Sequence, residues 1–418
     1  MTTMAPSPPI AGTRSPDPAL PNLLFAIGAG TGLAFVVSLT ILCGMELWNY
    51  DGHGHPIVND FVSFWSAGQL ALHGHPAAAY DPVLRHAAEI ATVGHPFPDI
   101  IGWWYPPLFL FVASALAALP YALAFNVMND VTLVFYAATM AIIAKQPKAA
   151  FLAVLPPWAM LGMVHGQTQF LTATLIGGAL LAVERRPIVA GLLLGLLSYK
   201  PQLGLLFPIA LACGGYWRAF GWSCIGVGFW TLLAGAMFGF DSYVAFFHGL
   251  SIVSDRVLAT NHAYWPNLQS VYGLTRWLGA ANAIAWSLQI GFSLACIAII
   301  SWLWRSDVPF DLKAAALAIA AALVTPYIFV YDLTVLSVAI AFLFRHGPFN
   351  KTEYAVLATA MIAVAIFGGG RAHPIGLLAC ALLAGIVWKR FLAQRKGAAS
   401  RALRSETQKG ILPCPTQA

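Results

Sequence analysis

The chain of 418 residues is 59% hydrophobic and only 9% charged, with a mean hydropathy of +0.74. Such a composition cannot present a normally solvated surface, which excludes an ordinary soluble globular protein and leaves a polytopic membrane protein covered by lipid. The formal net charge of +6 has to be read through the placement of its cations, most of which are topological, before it can indicate an anionic partner.

Residues 1–21, rich in Pro, Ser and Thr, have no apolar core, and the run from Leu23 to Leu47 is too long for a cleaved signal. A disordered cytoplasmic tail followed by an uncleaved first membrane helix is expected. A long polar loop, 49–106, comes next. Further apolar runs fall at about 107–120, 121–144, 149–164, 167–183, 188–200, 201–213, 219–240, 280–304, 312–330, 331–344, 353–369 and 373–392, with a second polar loop at 241–279. Several runs are short: about 13 residues rise only about 20 Å, against a hydrocarbon core of about 30 Å. Pro106, Pro107, Pro120, Pro156, Pro157, Pro201 and Pro326 mark the breaks. Broken helices at membrane depth are tolerated only where protein or a watery cavity covers the backbone, so the pattern predicts an internal cavity. The expected fold is all-α: one integral domain over 22–392 with about 11–13 spanning or half-spanning helices and a long first external loop. The basic stretch 393–418 reads as a flexible cytoplasmic tail near anionic headgroups.

The cations set the orientation. With a cytoplasmic N-terminus and a 107–120 segment that does not fully cross, only Arg85, Lys200, Arg256, Arg276 and Arg371 lie outside, and the remaining lysines and arginines lie inside. In this arrangement both termini are cytoplasmic, and the turns at His165–Gln169, Tyr199–Gln202 and Thr325–Asp332 join the two long loops on the outer face. The six cysteines are scattered without a CxxC pair, so neither a disulfide framework nor a zinc site is expected. No Walker or dinucleotide fingerprint, no nucleic-acid motif and no internal repeat is present, and no cofactor is implied. Histidines 53, 55, 73, 75, 86 and 95 invite a metal reading, but none shows HExxH spacing, and solvated interfacial imidazoles are the preferred account.

Asp60 stands out in the first loop. Helical spacing of Phe61, Phe64, Trp65 and Leu70 predicts an amphipathic helix lying on the membrane, with Asp60 at its N-cap or first turn. One reading is a capping aspartate. The other is a base: a carboxylate that loses hydration near lipid becomes a better proton acceptor, and neighbouring aromatics such as Trp65 and Tyr105 suit a sugar ring. Lys200, in a proline-broken apolar segment, either grips a phosphate or extends to the interface. Arg256, His262, Asn267 and Gln269 belong to a loop mixing polar and aromatic residues, as a sugar-phosphate pocket would. His165 and Gln167 at their turn either orient a substrate or join helices. For Asp332 an ion pair with an outer cation is favoured over a second acid.

Asn59-Asp60-Phe61 with Phe64-Trp65-Ser66-Ala67-Gly68, then Leu72-His73-Gly74-His75-Pro76, Tyr80-Asp81-Pro82, Tyr105-Pro106-Pro107-Leu108 and Leu119-Pro120, resembles the N-terminal signature of glycosyltransferase family 87. Gly166-Gln167, Gly191/Gly195/Lys200-Pro201, Asn267-Gln269-Ser270 and Tyr331-Asp332 follow in order, so the resemblance covers about residues 22–345. It implies a GT-C-type hexosyltransferase similar to polyprenyl-phosphate-mannose-dependent alpha-mannosyltransferases. Such an enzyme moves a sugar, with inversion, from a polyprenyl-phosphate donor to a glycolipid or polysaccharide acceptor on the periplasmic or extracellular side of the plasma (inner) membrane. By the same resemblance Asp60 matches the first-loop catalytic base. Phe64, where a tyrosine is usual, and the histidine-rich loop depart from the pattern. The rival reading is a secondary transporter or lipid flippase, which would also have broken helices; the lack of an inverted repeat and the one-sided polar groups count against it.

Overall fold

The computed structural model describes residues 19–98, 101–253, 258–260, 265–367 and 373–409, with the backbone alone at 19–25, 27, 252–253 and 397–409. Regular structure among them is helical, apart from an isolated bridge between Tyr50 and Pro56. Helix α1 (Ala19–Gly44) precedes a long excursion holding α2 (Asp60–Leu72) and, after a 3-10 turn at Pro76–Tyr80, α3 (Pro82–Val93). Then come α4 (Leu110–Ala117), α5 (Tyr121–Ala144), α6 (Lys148–Leu152), α7 (Pro157–His165), α8 (Gln169–Ala182), α9 (Pro187–Leu197), α10 (Pro201–Gly204) and α11 (Phe207–Cys213). The long α12 (Trp217–Phe238) leads through α13 (Asp241–Val253) and α14 (Val271–Trp277) to α15 (Asn282–Arg305) and α16 (Phe310–Leu323). A 3-10 segment at Val330–Thr334 opens α17 (Val335–His346), and α18 (Lys351–Phe367) and α19 (Gly376–Lys409) close the chain.

Among the described residues four helices are long and apolar enough to cross a bilayer: α5, α12, α15 and the Gly376–Lys396 part of α19. Shorter apolar helices fill the spaces between them. Pro107–Ala117 is one of these, and at about 16 Å it is too short to cross alone. Proline sets many of the starts, standing in the first turn of α3, α7, α9, α10 and α11, where its missing N–H is not needed. The run 201–213 accordingly splits in two. α16 is apolar nearly all round, and its alanines let it sit deep in the core beside α17 and α19. α19 continues to Lys409 through the basic stretch read as flexible chain; the Ala, Arg, Gln and Lys residues there are good helix formers.

One expectation is overturned. α2 does not turn a free apolar face to lipid: Phe61, Val62, Phe64 and Ala67 are buried, and so are Ser63 and Ser66 on its polar side. Ser63 donates to the Gly102 carbonyl at 3.2 Å, and Ser66 bonds Thr92 of α3 at 2.9 Å. Periodicity is blind to what covers the polar face, which here is protein. Phe61 and Phe64 enter an aromatic cluster with Tyr105, Phe109, Tyr121 and Phe125. Gly68 lets α2 touch α4, since a Cβ there would stand 2.1 Å from the Ala113 carbonyl oxygen.

That contact yields a prediction. Gly68→Val forces α2 away from α4 and lowers stability by about 2 kcal/mol, read as a clear drop in the melting temperature of detergent-solubilised protein. Val83→Ala on the exposed side of α3 leaves the melting temperature unchanged.

Candidate active site

Six stretches remote in sequence meet around a cavity of about 580 Å³. Asp60 reaches it because Asn59, not Asp60, caps α2: the Asn59 Oδ1 accepts from the backbone N–H of Phe61 at 2.9 Å and of Val62 at 3.2 Å. Tyr121 also donates to that oxygen, at 3.2 Å. Relieved of capping, the Asp60 side chain turns to the cavity.

Its one side-chain hydrogen bond among the described residues comes from Gln167, whose Nε2 donates to Oδ2 at 2.7 Å. The amide is oriented from behind, because its Oε1 accepts from the Tyr105 hydroxyl at 3.0 Å and from the Thr168 N–H at 3.4 Å. With the oxygen end occupied, only the NH₂ end can face Asp60. The turn that presents Gln167 needs Gly166, whose φ of +64° ends α7, and a Cβ there would run into Phe125 and Phe61. Tyr105 is fixed in turn, as its carbonyl accepts from the Tyr80 hydroxyl at 3.0 Å and its ring stacks on Phe109 at 4.6 Å. The second carboxylate oxygen of Asp60 has no hydrogen-bond partner among the described residues.

Asp60 is reached through the cavity but sits deep in the protein, and burial pushes its carboxyl above the usual carboxylate range. Nearby Asp332 adds to the rise. His165, the Gln167 hydrogen bond and Lys200 offset part of it. Burial likewise holds the Tyr105 phenol well above its ordinary value, so it stays protonated and donates.

Lys200 follows the end of α9, immediately before Pro201. Its Nζ lies 2.6 Å from Oδ1 of Asp332, with both side chains about 5% exposed. The other oxygen of Asp332 accepts the Phe329 N–H at 3.1 Å. The ammonium also faces the rings of Tyr331 at 5.5 Å and Tyr105 at 5.9 Å. Three donors with one committed to Asp332 leave two for a ligand. His165 donates from Nδ1 to the Leu161 carbonyl at 2.7 Å, which places a ring proton on that nitrogen.

Of the residues singled out in the sequence, Asp60, Tyr105, His165, Gln167, Lys200 and Asn267 line this cavity. Trp65 does not: its Nε1 donates to the Leu119 carbonyl at 3.1 Å and its ring packs on Tyr121. Gln269 is buried beside it, donating to the carbonyls of Asn267 and His373 and accepting from the Gly376 N–H. Arg256 and His262 lie outside the described residues. Asp332 and Tyr331, known from the Tyr331-Asp332 motif, line it too, and so do Trp104, Tyr327 and Phe329, which were not singled out as site residues. Their signal was available: Tyr327, Phe329 and Tyr331 alternate with Ile328 and Val330, as an extended strand with an aromatic face would. Among the described residues no three His, Cys, Asp or Glu side chains gather as a metal site.

The family model of glycosyltransferase family 87 matches residues 103–326, more than half of the chain. The match includes Tyr105, His165, Gln167 and Lys200, and it leaves Asp60 and Asp332 on either side. No curated protein and no solved structure matches the chain.

The buried ion pair is testable by stability. Asp332→Ala strands the Lys200 ammonium and costs about 3 kcal/mol, whereas the double replacement Lys200→Met with Asp332→Leu recovers most of that loss. Chemical unfolding of the two variants side by side checks it.

Proposed function

We propose that this chain, which belongs to glycosyltransferase family 87 and is a membrane glycosyltransferase, uses Asp60 as the general base of an inverting sugar transfer. The donor is a polyprenyl-phosphate-linked hexose, with mannose the leading candidate, and the acceptor is a hydroxyl of a glycolipid or polysaccharide. In this reading the fold is of GT-C type, residues 22–392 form the integral domain, and the cavity opens on the outer face of the plasma membrane with both termini inside.

The step is a single displacement. The acceptor oxygen attacks the anomeric carbon as its proton passes to the unpaired oxygen of Asp60, and the bond from that carbon to the phosphate oxygen breaks, releasing polyprenyl phosphate. No covalent enzyme intermediate is required. Lys200 supplies two free N–H donors to the departing phosphate. Gln167 holds the carboxylate in place, and the aromatic wall of Trp104, Tyr105, Tyr327 and Tyr331 offers ring faces to a sugar.

The observation that carries this reading is the pairing, in one cavity, of a deep carboxylate having a free oxygen with an ammonium having spare donors. A carboxylate whose affinity for protons is raised by burial suits the removal of a hydroxyl proton near neutral pH. Family membership weighs against the transporter reading, and the polar groups lining the cavity are those a transferase needs.

Asp60→Asn should lower sugar transfer from a labelled polyprenyl-phosphate donor by about a hundredfold or more in membranes, and undiminished transfer would overturn the assignment. Because the folded protein favours neutral Asp60, ionisation costs stability as pH rises through the raised value. The Asp60→Asn variant, permanently neutral at this position, should therefore melt no lower than the parent at neutral pH.

The pH profile adds a second check. A base must be ionised, so kcat/KM falls toward acid with a limb above the ordinary aspartate value of about 3.9. Gln167→Leu removes a hydrogen bond to the ionised form and moves that limb further up. A limb that stays put or moves down would separate Gln167 from Asp60.

A further inference from the structure

A second cavity, of about 590 Å³, lies among the far ends of the helices that build the first. α8 begins at Gln169 beside Gln167 and ends at Ala182; α9 returns from Pro187 toward Lys200; α17 runs from beside Asp332 to His346. The 14 residues of α8 rise about 21 Å, so the two cavities occupy opposite ends of the bundle. What binds in one does not share the other.

The chemistry of this second site is basic. Lys145 follows the end of α5, Arg185 and Arg186 form the turn between α8 and α9, and Arg345 lies in the last turn of α17. One carboxylate, Glu184, also lines it. Arg345 is already matched, with Nη2 2.6 Å from Oδ1 of Asp311. Lys145, Arg185 and Arg186 are exposed and have no side-chain partner among the described residues. On one flank the wall is apolar and opens outward, with Ile142 59% and Val189 44% exposed, as residues facing lipid would be.

Cations at helix C-termini complement the helix dipoles and fix topology wherever they stand. That accounts for their number. It leaves unexplained why three unmatched cations rim a hollow whose other wall is apolar and continuous with the lipid-facing surface.

We propose that this cavity seats the phosphate headgroup of an anionic membrane phospholipid, with an acyl chain lying along Ile142 and Val189. The three unmatched cations complement a phosphate diester, and the apolar flank has a use for a lipid that it lacks for a free anion. The inference does not depend on the sugar-transfer reading.

The test titrates the purified full-length protein, in a mild nonionic detergent, with phosphatidylglycerol, with phosphatidylcholine of the same chains, and with inorganic phosphate. Bound lipid is counted by native mass spectrometry and the melting temperature is followed in parallel. Saturable binding of phosphatidylglycerol alone, with a raised melting temperature, is expected. Arg185→Gln combined with Arg186→Gln weakens that binding about tenfold or more, and Lys145→Gln gives an independent and smaller loss. Arg305→Gln, an exposed cation at the end of α15 outside the cavity, binds as the parent does. An equal response to phosphatidylcholine or to phosphate overturns the proposal. So does full affinity in both pocket variants, or an equal loss in Arg305→Gln.

Discussion

The ion pair of Lys200 with Asp332 joins positions 132 residues apart, and the centre of the bundle is arranged around it. A lysine between two apolar helices is unfavourable unless an anion meets it, and an aspartate there needs a cation just as much. The pair therefore pins the end of α9 to the start of α17. α7 is tied to the same region, since Trp158 donates to the Ser337 hydroxyl at 3.0 Å and Thr334 donates to the Trp158 carbonyl. The end of α9 and the start of α17 are thus held together, and α7, anchored to the same stretch through its own first turn, carries Gln167 toward Asp60 from its other end.

The same economy explains why the helices are short. Away from water, a helix that stops leaves carbonyl or amide groups without partners, so it can stop only against protein or a polar hollow. α7 and α9 stop beside the cavity, and the 3-10 segment at Val330–Thr334 that opens α17 starts there. Prolines start α7, α9 and α10 at little cost, because the first-turn N–H they lack has no intrahelical acceptor.

Much of the fold was legible in the sequence. The apolar composition dictated an all-helical membrane protein, the prolines marked where helices break, and the family match over residues 103–326 bears out the resemblance to family 87. Asp60 stood out as a carboxylate in a long polar loop. Its surroundings were not legible, because the hydrogen bond from Gln167 crosses 107 positions and depends on how the start of α2 meets the turn after α7. The surface helix expected at Phe61–Leu70 failed for a related reason: spacing reveals which side of a helix is polar, never whether water or another helix answers it. The aromatic face at Tyr327, Phe329 and Tyr331 escaped notice because a five-residue alternation between two apolar runs reads as more of the same.

The brevity of α8 sets a depth. With Arg185 and Arg186 kept among the headgroups of one leaflet, as their charges require, the rise of about 21 Å along α8 ends well short of the other boundary of a hydrocarbon layer about 30 Å thick. The floor where Asp60 and Gln167 meet would then lie several ångströms beneath the level of the opposite headgroups. A molecule anchored by a lipid tail arrives at that level sideways, without leaving the membrane. A water-borne partner would have to reach down to it, which suits the bilayer-tethered donor of the proposed reaction.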